Sequence, residues 1–176
     1  DTPVRVNPTV GFPLGANTSY IKIEEAREAV RHGAHEVDMV MNIGALKSGY
    51  LDFVEREIAA VIHAVTIPVK VIIETSYLTH DEKVTACEMV MRSGAAFVKT
   101  STGFGLGGAT PEDVSLMRQV VGTALGVKAA GGIRSYEQAV ALIAAGASRI
   151  GTSAGVAILE GIPPKDELMT PAPGIA

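Results

Sequence analysis

The sequence predicts an α/β fold of the (β/α)8 barrel type, in which six βα units can be identified. Three observations lead to this fold class. Short apolar runs alternate with helical patterns along the chain. The segments RHGAHEVDM, RSGAAFVKT and AAGASRIGT repeat one order of elements, and polar residues lie at the C-terminal end of nearly every run. Strands that alternate with helices are parallel and are joined by right-handed crossovers.

Six short apolar runs are predicted to be buried parallel strands. They are, in chain order, Val4–Val10, Glu36–Met41, Val69–Ile73, Ala96–Lys99, Gly126–Ala129 and Arg149–Gly151. The segments between them carry apolar residues three and four positions apart, which is the spacing of one face of a helix. These predicted helices are Ile21–His32, Tyr50–Val65, His80–Arg92, Pro111–Ala124, Tyr136–Ala145 and Ala154–Glu160.

Local start and stop signals agree with these helices. Thr79 and Glu82 have the spacing of a capping box, in which each side chain accepts the backbone N–H of the other residue. Thr110 followed by Pro111 is typical of a helix N-terminus, because proline needs no amide partner in the first turn. Glycines stand where three of the helices are expected to end in a left-handed residue. They are Gly33, Gly94 and Gly146.

An open doubly wound sheet and a barrel both fit alternating strands and helices. An open sheet concentrates its site at one switch point, whereas a barrel collects side chains from all strand ends onto one face. Polar residues lie at the C-terminal ends of the predicted strands in nearly every unit; they are Asp38, Asn42, Glu74, Thr75, the segment Lys99–Thr102, Lys128, Thr152 and Ser153. This distribution favours the barrel. We expect two of its eight units to be missing before the first run, so that the barrel is incomplete.

The composition narrows the class of protein. Apolar residues make up 47% and charged residues 19% of the chain, which is typical of a folded domain. We expect one barrel domain over residues 1–162 and a proline-rich, mobile tail over residues 163–176. The net charge of −4, with no long basic run, argues against a nucleic-acid partner. One cysteine and no long uncharged apolar stretch predict a soluble cytoplasmic protein with no membrane partner.

Two lysines stand inside apolar runs of consecutive units. Lys99 and Lys128 both lie at the C-terminal ends of their runs, so a parallel sheet places them side by side. A strand lysine can lie at a sheet edge with its ammonium group in water. Two ammonium groups held together in a buried site instead lower a lysine pKa toward about 7–8, which makes the amine nucleophilic. We therefore predict a lysine that attacks a carbonyl group and forms a Schiff base.

Charged groups in two further runs accompany the lysines. Asp38 is flanked by apolar residues, so its carboxylate points into the barrel or is paired. It is either a structural ion-pair partner or a carboxylate that moves protons and balances the lysine charges. Lys70 shares one side of its run with Glu74. We interpret Lys70 as a strut that pairs with Asp38 or with Glu74.

Glycine-rich segments follow the last three runs. They read STGFGLGG after Lys99, AGGIRS after Lys128 and GTSAG after the final run. Glycine lets a backbone approach a ligand closely, and backbone N–H groups in such loops bind anions. Barrels often hold a phosphate group with the loops after their last two strands. We predict a phosphate site formed by these loops together with Ser153.

Five ordered motifs resemble the deoxyribose-phosphate aldolase family of class I aldolases. They are EVDMVMNIGALKSG, VKVIIETSYLT, FVKTSTGF with GGATPEDV, VKAAGGIRS and RIGTSAGVAI. The segment VGFPLGANT resembles the third-strand segment of the same family. The resemblance runs from about Val4 to Leu159. It implies a (β/α)8 barrel whose first two units are not found in this sequence.

The resemblance also implies a reaction and the residues that perform it. The reaction is the reversible cleavage of 2-deoxy-D-ribose 5-phosphate to D-glyceraldehyde 3-phosphate and acetaldehyde. Lys99 is implied as the Schiff-base lysine, Lys128 as the lysine that tunes it, and Asp38 as the residue for proton transfer. The implied phosphate contacts are Gly103, Gly131, Gly132 and Ser153, and the supporting residues are Lys70 and Thr102. No cofactor or metal is expected, and the implied assembly is a homo-oligomer, either a dimer or a tetramer.

The sequence departs from the family at two positions near the implied phosphate site. Ala130 and Ala154 stand where the family has serines, which weakens side-chain hydrogen bonding there but leaves the backbone donors. Two alternative functions stay open. One is an impaired or inactive relative that binds a sugar phosphate or a partner subunit, and the other is a Schiff-base aldolase with another acceptor.

Overall fold

The computed structural model describes residues 3–161, and the tail expected over residues 163–176 lies outside that part of the chain. The described residues form six parallel strands and seven α-helices, arranged in chain order around one sheet. This architecture confirms the predicted α/β class and is that of an incomplete (β/α)8 barrel.

Each of the six predicted runs corresponds to one strand, and only β5 extends beyond its run, by one residue. The strands are β1 (Thr9–Val10), β2 (Val37–Val40), β3 (Val69–Ile72), β4 (Phe97–Lys99), β5 (Gly126–Ala130) and β6 (Arg149–Gly151), and they pair in that order. The largest difference from the prediction is at the first run, where only the last two residues are strand. Pro8 lies just before them and has no backbone N–H with which to extend the ladder.

Six of the seven helices coincide with predicted helices to within a few residues at each end. The helices are α1 (Ser19–Arg31), α2 (Ile43–Lys47), α3 (Leu51–His63), α4 (His80–Arg92), α5 (Pro111–Val121), α6 (Tyr136–Ala144) and α7 (Gly155–Glu160). Helix α2 and a 3-10 turn over Thr75–Tyr77 are additional, because one or two turns are too short to show a period in the sequence. Within residues 3–161, no helix combines the length and the apolar character that crossing a membrane requires.

The predicted helix-end signals make the expected contacts. Thr79 Oγ1 accepts the N–H of Glu82 at 3.3 Å, and Glu82 Oε2 accepts the N–H of Thr79 at 2.7 Å, which completes the capping box of α4. Thr110 caps α5 by accepting the N–H of Asp113 at 3.1 Å. The glycines that follow α1, α4 and α6 have φ values of 88°, 81° and 115°, as left-handed helix ends require.

The sheet is strongly curled, with its charged residues on the concave face. Neighbouring strands lie about 4.8 Å apart, so β2 and β5 would be about 14 Å apart in a flat sheet. Asp38 of β2 nevertheless accepts a hydrogen bond from Lys128 of β5 at 2.7 Å. Glu36, just before β2, likewise pairs with Arg149 of β6. The curl therefore brings distant strands together across the concave face.

The alternate residues of the strands point outward and form the core with the helices. Val37 and Met39 of β2, Val71 of β3 and Ile58 of α3 are fully buried in one apolar cluster. Cys87 of α4 is buried in the same cluster, and burial raises the pKa of its thiol to about 12. The outer face thus holds the fold together, and the concave face is where charged side chains gather.

Candidate active site

A cavity of about 550 Å³ lies at the C-terminal ends of the strands. This is the end at which a (β/α) barrel carries its catalytic groups. Eight residues that the sequence analysis assigns to the site line this cavity. They are Asp38, Lys99, Thr102, Gly103, Lys128, Gly131, Gly132 and Ser153. The ninth, Lys70, is fully buried and contacts Asp38.

Asp38 is the point at which both lysines of the site meet. The strand register pairs Lys99 of β4 directly with Lys128 of β5. Each of the two ammonium groups donates to Asp38 Oδ2 at 2.7 Å. Because both bonds end on one oxygen, the two nitrogens lie within twice that distance of each other. Asp38 is 1% exposed and Lys99 8% exposed, so the cluster is largely shielded from water.

A second layer of ion pairs lies beneath Asp38, toward the N-terminal ends of the strands. Lys70 donates to Asp38 Oδ1 at 3.0 Å and lies 2.6 Å from Glu36 Oε2. Glu36 also pairs with Arg149 of β6. The Arg149 guanidinium carbon in turn lies 4.7 Å from the centre of the Phe97 ring, which is a cation–π distance. This layer links the carboxylate of Asp38 to β3 through Lys70 and, through Glu36, to β6.

The ion-pair network has an excess of positive charge, since it joins five cationic side chains, of which Arg5 is exposed, to two carboxylates. Burial would raise the pKa of Asp38, but the charges and hydrogen bonds of Lys99 and Lys128 outweigh it and hold this pKa well below its ordinary value. Burial lowers the pKa of Lys128, an effect that its bond to Asp38 opposes and the charge of Lys99 reinforces. Asp38 is therefore ionised, and the charged form of Lys128 is disfavoured.

Glu74 holds the loop that follows β4. It comes just after β3 in the left-handed region, with φ 55°, and its carboxyl group is buried. Glu74 Oε2 accepts the backbone N–H of Thr102 at 3.0 Å and also its hydroxyl proton. Thr102 Oγ1 accepts the N–H of Phe104 at 3.0 Å. Of the two partners predicted for Lys70, Asp38 is the one observed, and Glu74 fixes the loop after Lys99 instead.

The glycine loops after β4 and β5 approach each other closely at the cavity. Gly131 and Gly132 have φ values of 89° and 76°, which side chains of L-residues rarely allow. The carbonyl group of Gly131 accepts the N–H of Ala109 at 3.1 Å. A Cβ atom on Gly108 would lie 2.2 Å from that carbonyl oxygen. Only glycine fits at this crossing, and the backbones of both loops reach the cavity wall.

Ser153 lies in the loop between β6 and α7 and faces the same cavity. Thr152 joins this loop to the loop after β5. Its hydroxyl donates to the carbonyl group of Ile133 at 2.7 Å and accepts the N–H of Ala154 at 2.9 Å. The predicted contacts Ser153 and Gly132 therefore belong to one continuous wall.

Several residues around Asp38 lie outside the predicted set, among them Asn7, Glu36 and Arg149. Strand alternation could have indicated Glu36, because it comes two residues before Asp38 and so shares its face. Asn7 lines the cavity. Its alternation with Val6 in the first predicted run could have marked its face, but no local pattern shows that an amide before a proline contacts Asp38. Asn42, which the sequence analysis groups with Asp38 among the polar residues of the strand ends, instead caps α2 by accepting the N–H of Ala45 at 2.9 Å.

The arrangement combines two amines, an ionised carboxylate and glycine loops around one cavity. Attack of an amine on a carbonyl carbon and proton transfer through a carboxylate are reactions that these groups can perform. The excess positive charge and the exposed backbone amides suit an anionic ligand. Within residues 3–161, no group of three His, Cys, Asp or Glu side chains is placed to hold a metal ion.

Comparison with known sequences identifies close relatives. A family model described as "DeoC/LacD family aldolase" matches residues 6–161. The deoxyribose-phosphate aldolase of Thermococcus gammatolerans is 62% identical over 161 residues, a match that covers 90% of this chain and 72% of that protein. The similarity therefore extends over nearly all of the described residues.

Comparison with solved structures gives the same picture. The structure of an aldolase called QR15 is 45% identical with a TM-score of 0.88, and the match covers 91% of this chain and 73% of that one. A tetrameric deoxyribose phosphate aldolase from Aeropyrum pernix is 35% identical with a TM-score of 0.82, with coverage of 89% and 67%. The six-stranded sheet described above thus corresponds to a large part of each of these structures.

Proposed function

Because this chain belongs to the DeoC/LacD family of aldolases, we propose that it cleaves 2-deoxy-D-ribose 5-phosphate reversibly to D-glyceraldehyde 3-phosphate and acetaldehyde through a Schiff base on Lys99. This is the activity of a deoxyribose-phosphate aldolase, a carbon–carbon lyase. The observation that carries the proposal is the position of Asp38 Oδ2, which is 2.7 Å from the ammonium groups of both Lys99 and Lys128.

Lys99 supplies the nucleophile. Its neutral amine attacks the aldehyde carbon C1 of the sugar, the carbinolamine loses water, and a protonated imine remains. The proposal is supported by the position of Lys99 on the cavity wall beside Lys128. Burial and the charge of Lys99 lower the pKa of Lys128, so this neighbour is suited to take up a proton beside the reacting amine.

Asp38 and Lys128 move the protons. The bond that breaks is C2–C3, because acetaldehyde takes carbons 1 and 2 of the sugar. The C3 hydroxyl loses its proton while the electrons of the C2–C3 bond move into the imine, which gives an enamine and D-glyceraldehyde 3-phosphate. A carboxylate with so low a pKa is a weak base, so Asp38 relays this proton to the neutral form of Lys128. Protonation of the enamine at C2 and hydrolysis then release acetaldehyde and restore Lys99.

The glycine loops bind the 5-phosphate group. The residues assigned to this role are Gly103, Gly131, Gly132 and Ser153, all on the cavity wall. Backbone N–H groups supply most of the donors, since Ala130 and Ala154 have no hydroxyl group. Lys70 and Thr102 support the site, the first by holding Asp38 and the second by linking the loop after β4 to Glu74.

Reductive trapping tests the proposal. Acetaldehyde with sodium borohydride should add one ethyl group to the protein, detected by intact mass and located on Lys99 by peptide mapping. We expect no adduct at this position in Lys99→Leu and a slowly formed adduct in Lys128→Leu. Lys47→Leu, an exposed lysine of α2, is the matched control and should be labelled like the wild type.

Two outcomes would contradict the proposed reaction. A wild-type protein that forms no adduct on Lys99 would instead be an inactive relative that binds a sugar phosphate or a partner. A protein that forms the adduct and cleaves a different phosphorylated sugar, but not 2-deoxyribose 5-phosphate, would be a Schiff-base aldolase with another acceptor. An assay of cleavage over several phosphorylated sugars separates these two cases.

The proposed partners are a small phosphorylated sugar and further copies of this chain. A dimer or tetramer is supported by the relative from Aeropyrum pernix, whose structure is described as tetrameric. Light scattering on the purified chain measures the assembly, and a monomer at all concentrations would contradict this part of the proposal.

A further inference from the structure

We propose that Asn7 is a positioning residue that holds the Asp38 carboxylate in the orientation in which one of its oxygens serves both lysines. The inference rests on the proposed function, because it concerns how the Schiff-base site is kept in order. Asn7 lies two residues before β1 on the edge of the cavity, and it is outside every motif that indicates the site in the sequence.

The backbone brings Asn7 next to Asp38. The register of the first two strands pairs Thr9 with Asp38, and the carbonyl group of Pro8 accepts the N–H of Asp38 at 3.0 Å. The residue before Pro8 is therefore anchored beside β2. Val6, one residue earlier, faces the other way, because it lines a groove against α1 together with residues such as Glu28.

Three side chains close a hydrogen-bonded ring. Asn7 Nδ2 donates to Asp38 Oδ1 at 3.0 Å, Lys70 Nζ donates to the same oxygen at 3.0 Å, and Lys70 Nζ also donates to Asn7 Oδ1 at 3.0 Å. An ammonium group can only donate, so the amide oxygen of Asn7 must face Lys70 and its NH₂ group must face Asp38. The orientation of the amide group is thus set by its two partners.

Because of this ring, the two carboxylate oxygens of Asp38 bind different partners. Oδ1 accepts from Asn7 and Lys70, and Oδ2 accepts from Lys99 and Lys128. A carboxylate that accepts two hydrogen bonds at each oxygen cannot rotate about its Cβ–Cγ bond without breaking hydrogen bonds at both oxygens. Asn7 is the one neutral donor of the four, so it adds this constraint without changing the charge of the site.

The charge of the site explains why an amide is suited to this position. The ionisable groups that face Asp38 and the two lysines come from five of the strands or their starts. They are Glu36 and Asp38 at β2, Lys70 on β3, Lys99 on β4, Lys128 on β5 and Arg149 on β6. A carboxylate at residue 7 would add a third negative charge to this set and favour the ammonium form of the lysines.

Two substitutions that keep the side chain at residue 7 similar in size to asparagine test whether Asn7 positions Asp38 or only fills space. Asn7→Asp replaces the donor toward Asp38 with an acceptor and adds a negative charge. We expect the pH at which borohydride trapping of Lys99 reaches half its maximal rate to rise by about one unit. Asn7→Leu removes both hydrogen bonds without adding charge, and we expect kcat to fall by about tenfold with KM little changed. Rates are expressed per trapped site, so that partial unfolding does not enter them.

The control is Val6→Asp, which adds the same charge at the neighbouring position on the other side of the chain. We expect its trapping profile to superimpose on that of the wild type. The inference is wrong if the trapping profile of Asn7→Asp also superimposes on that of the wild type, or if Asn7→Leu keeps the wild-type kcat per trapped site. If one of the two variants does not fold, the other decides the question alone. A wild-type protein that forms no adduct contradicts the proposed function instead, so the two failures are distinguishable.

Discussion

At the scale of single residues, Asp38 organises the site. Its carboxylate accepts hydrogen bonds from three lysines and one asparagine, and it is 1% exposed. The sequence indicates Asp38, Lys99 and Lys128, because a charge inside an apolar run has few physical explanations. It does not indicate Asn7, because an amide next to a proline is common in loops and costs nothing when it is solvated.

A residue-scale prediction concerns Asp38→Asn. Removing the carboxylate leaves the positive charges of the network opposed only by Glu36, so the pKa of Lys128 should fall further. We expect borohydride trapping on Lys99 to persist and its pH profile to move to lower pH. Turnover should nevertheless drop about 10²- to 10⁴-fold, because the proton relay is lost.

The measurement for Asp38→Asn compares trapping with the release of D-glyceraldehyde 3-phosphate in a coupled assay. A variant that keeps wild-type turnover would show that Asp38 is only a structural ion-pair partner, which is the other interpretation that its sequence context allows. Loss of both activities in a folded variant would equally contradict the division of roles between Asp38 and Lys99.

At the scale of elements, local sequence signals predict the ends of the helices well, whereas the contacts between loops cannot be predicted from them. The capping box of α4 and the glycine ends of α1, α4 and α6 depend on residues a few positions apart, so they can be read from the chain. The bonds from Glu74 to Thr102 join residues 28 positions apart. They depend on how the loops after β3 and β4 meet, which no local pattern encodes.

An element-scale prediction concerns Gly126, the first residue of β5. A Cβ atom there would lie 2.1 Å from the ring of Phe97, so this ring, which packs against the guanidinium group of Arg149, must shift. We expect Gly126→Ala to lower the free energy of unfolding by about 1–3 kcal/mol and the melting temperature by several degrees. Thermal unfolding followed by circular dichroism measures the change.

Gly44→Ala is the matched control for Gly126→Ala. Gly44 lies inside α2, where an added Cβ atom meets its nearest neighbour at an ordinary 3.7 Å. This control should be neutral or slightly stabilising, because alanine favours a helix more than glycine does. Equal melting temperatures for the two variants would show that the contact between Gly126 and Phe97 does not constrain β5.

At the scale of the whole molecule, the chain separates an apolar outer layer from a charged concave face. The protein has a net charge of −4, yet the network on its concave face has more cations than carboxylates. The surplus is local, and it faces the cavity in which an anionic substrate is proposed to bind. Desolvation strengthens electrostatic attraction in such a site.

A whole-molecule prediction concerns stability in acid. The pKa of Glu36 is lowered from 4.5 to about 2 by its hydrogen bond to Arg149 and its contacts with Lys70. Because the folded-state pKa is the lower one, the stability that Glu36 contributes is fully present above about pH 4.5 and is lost as the pH falls toward 2. The pKa of Asp38 is lowered as well, so it contributes in the same direction.

Urea unfolding at a series of pH values measures this dependence. We expect the free energy of unfolding of the wild type to decline steeply between about pH 4.5 and 2. Glu36→Gln should be less stable near neutral pH and show a shallower decline. Glu112→Gln, an exposed carboxyl group of α5, should keep the wild-type slope, and a wild-type slope in Glu36→Gln would contradict the argument.

By itself, the sequence determines the order and kind of the strands and longer helices, the ends of most helices, and the three charged residues around which the candidate site is built. These follow from periodicity and from neighbours a few residues apart. Only the tertiary structure decides that Lys70 pairs with Asp38 rather than Glu74, that Glu36 meets Arg149 across 113 positions, and that Asn7 joins Lys70 across 63. The reason is the curl of the sheet. It is a property of all six strands together, and it sets which side chains can reach one another across the concave face.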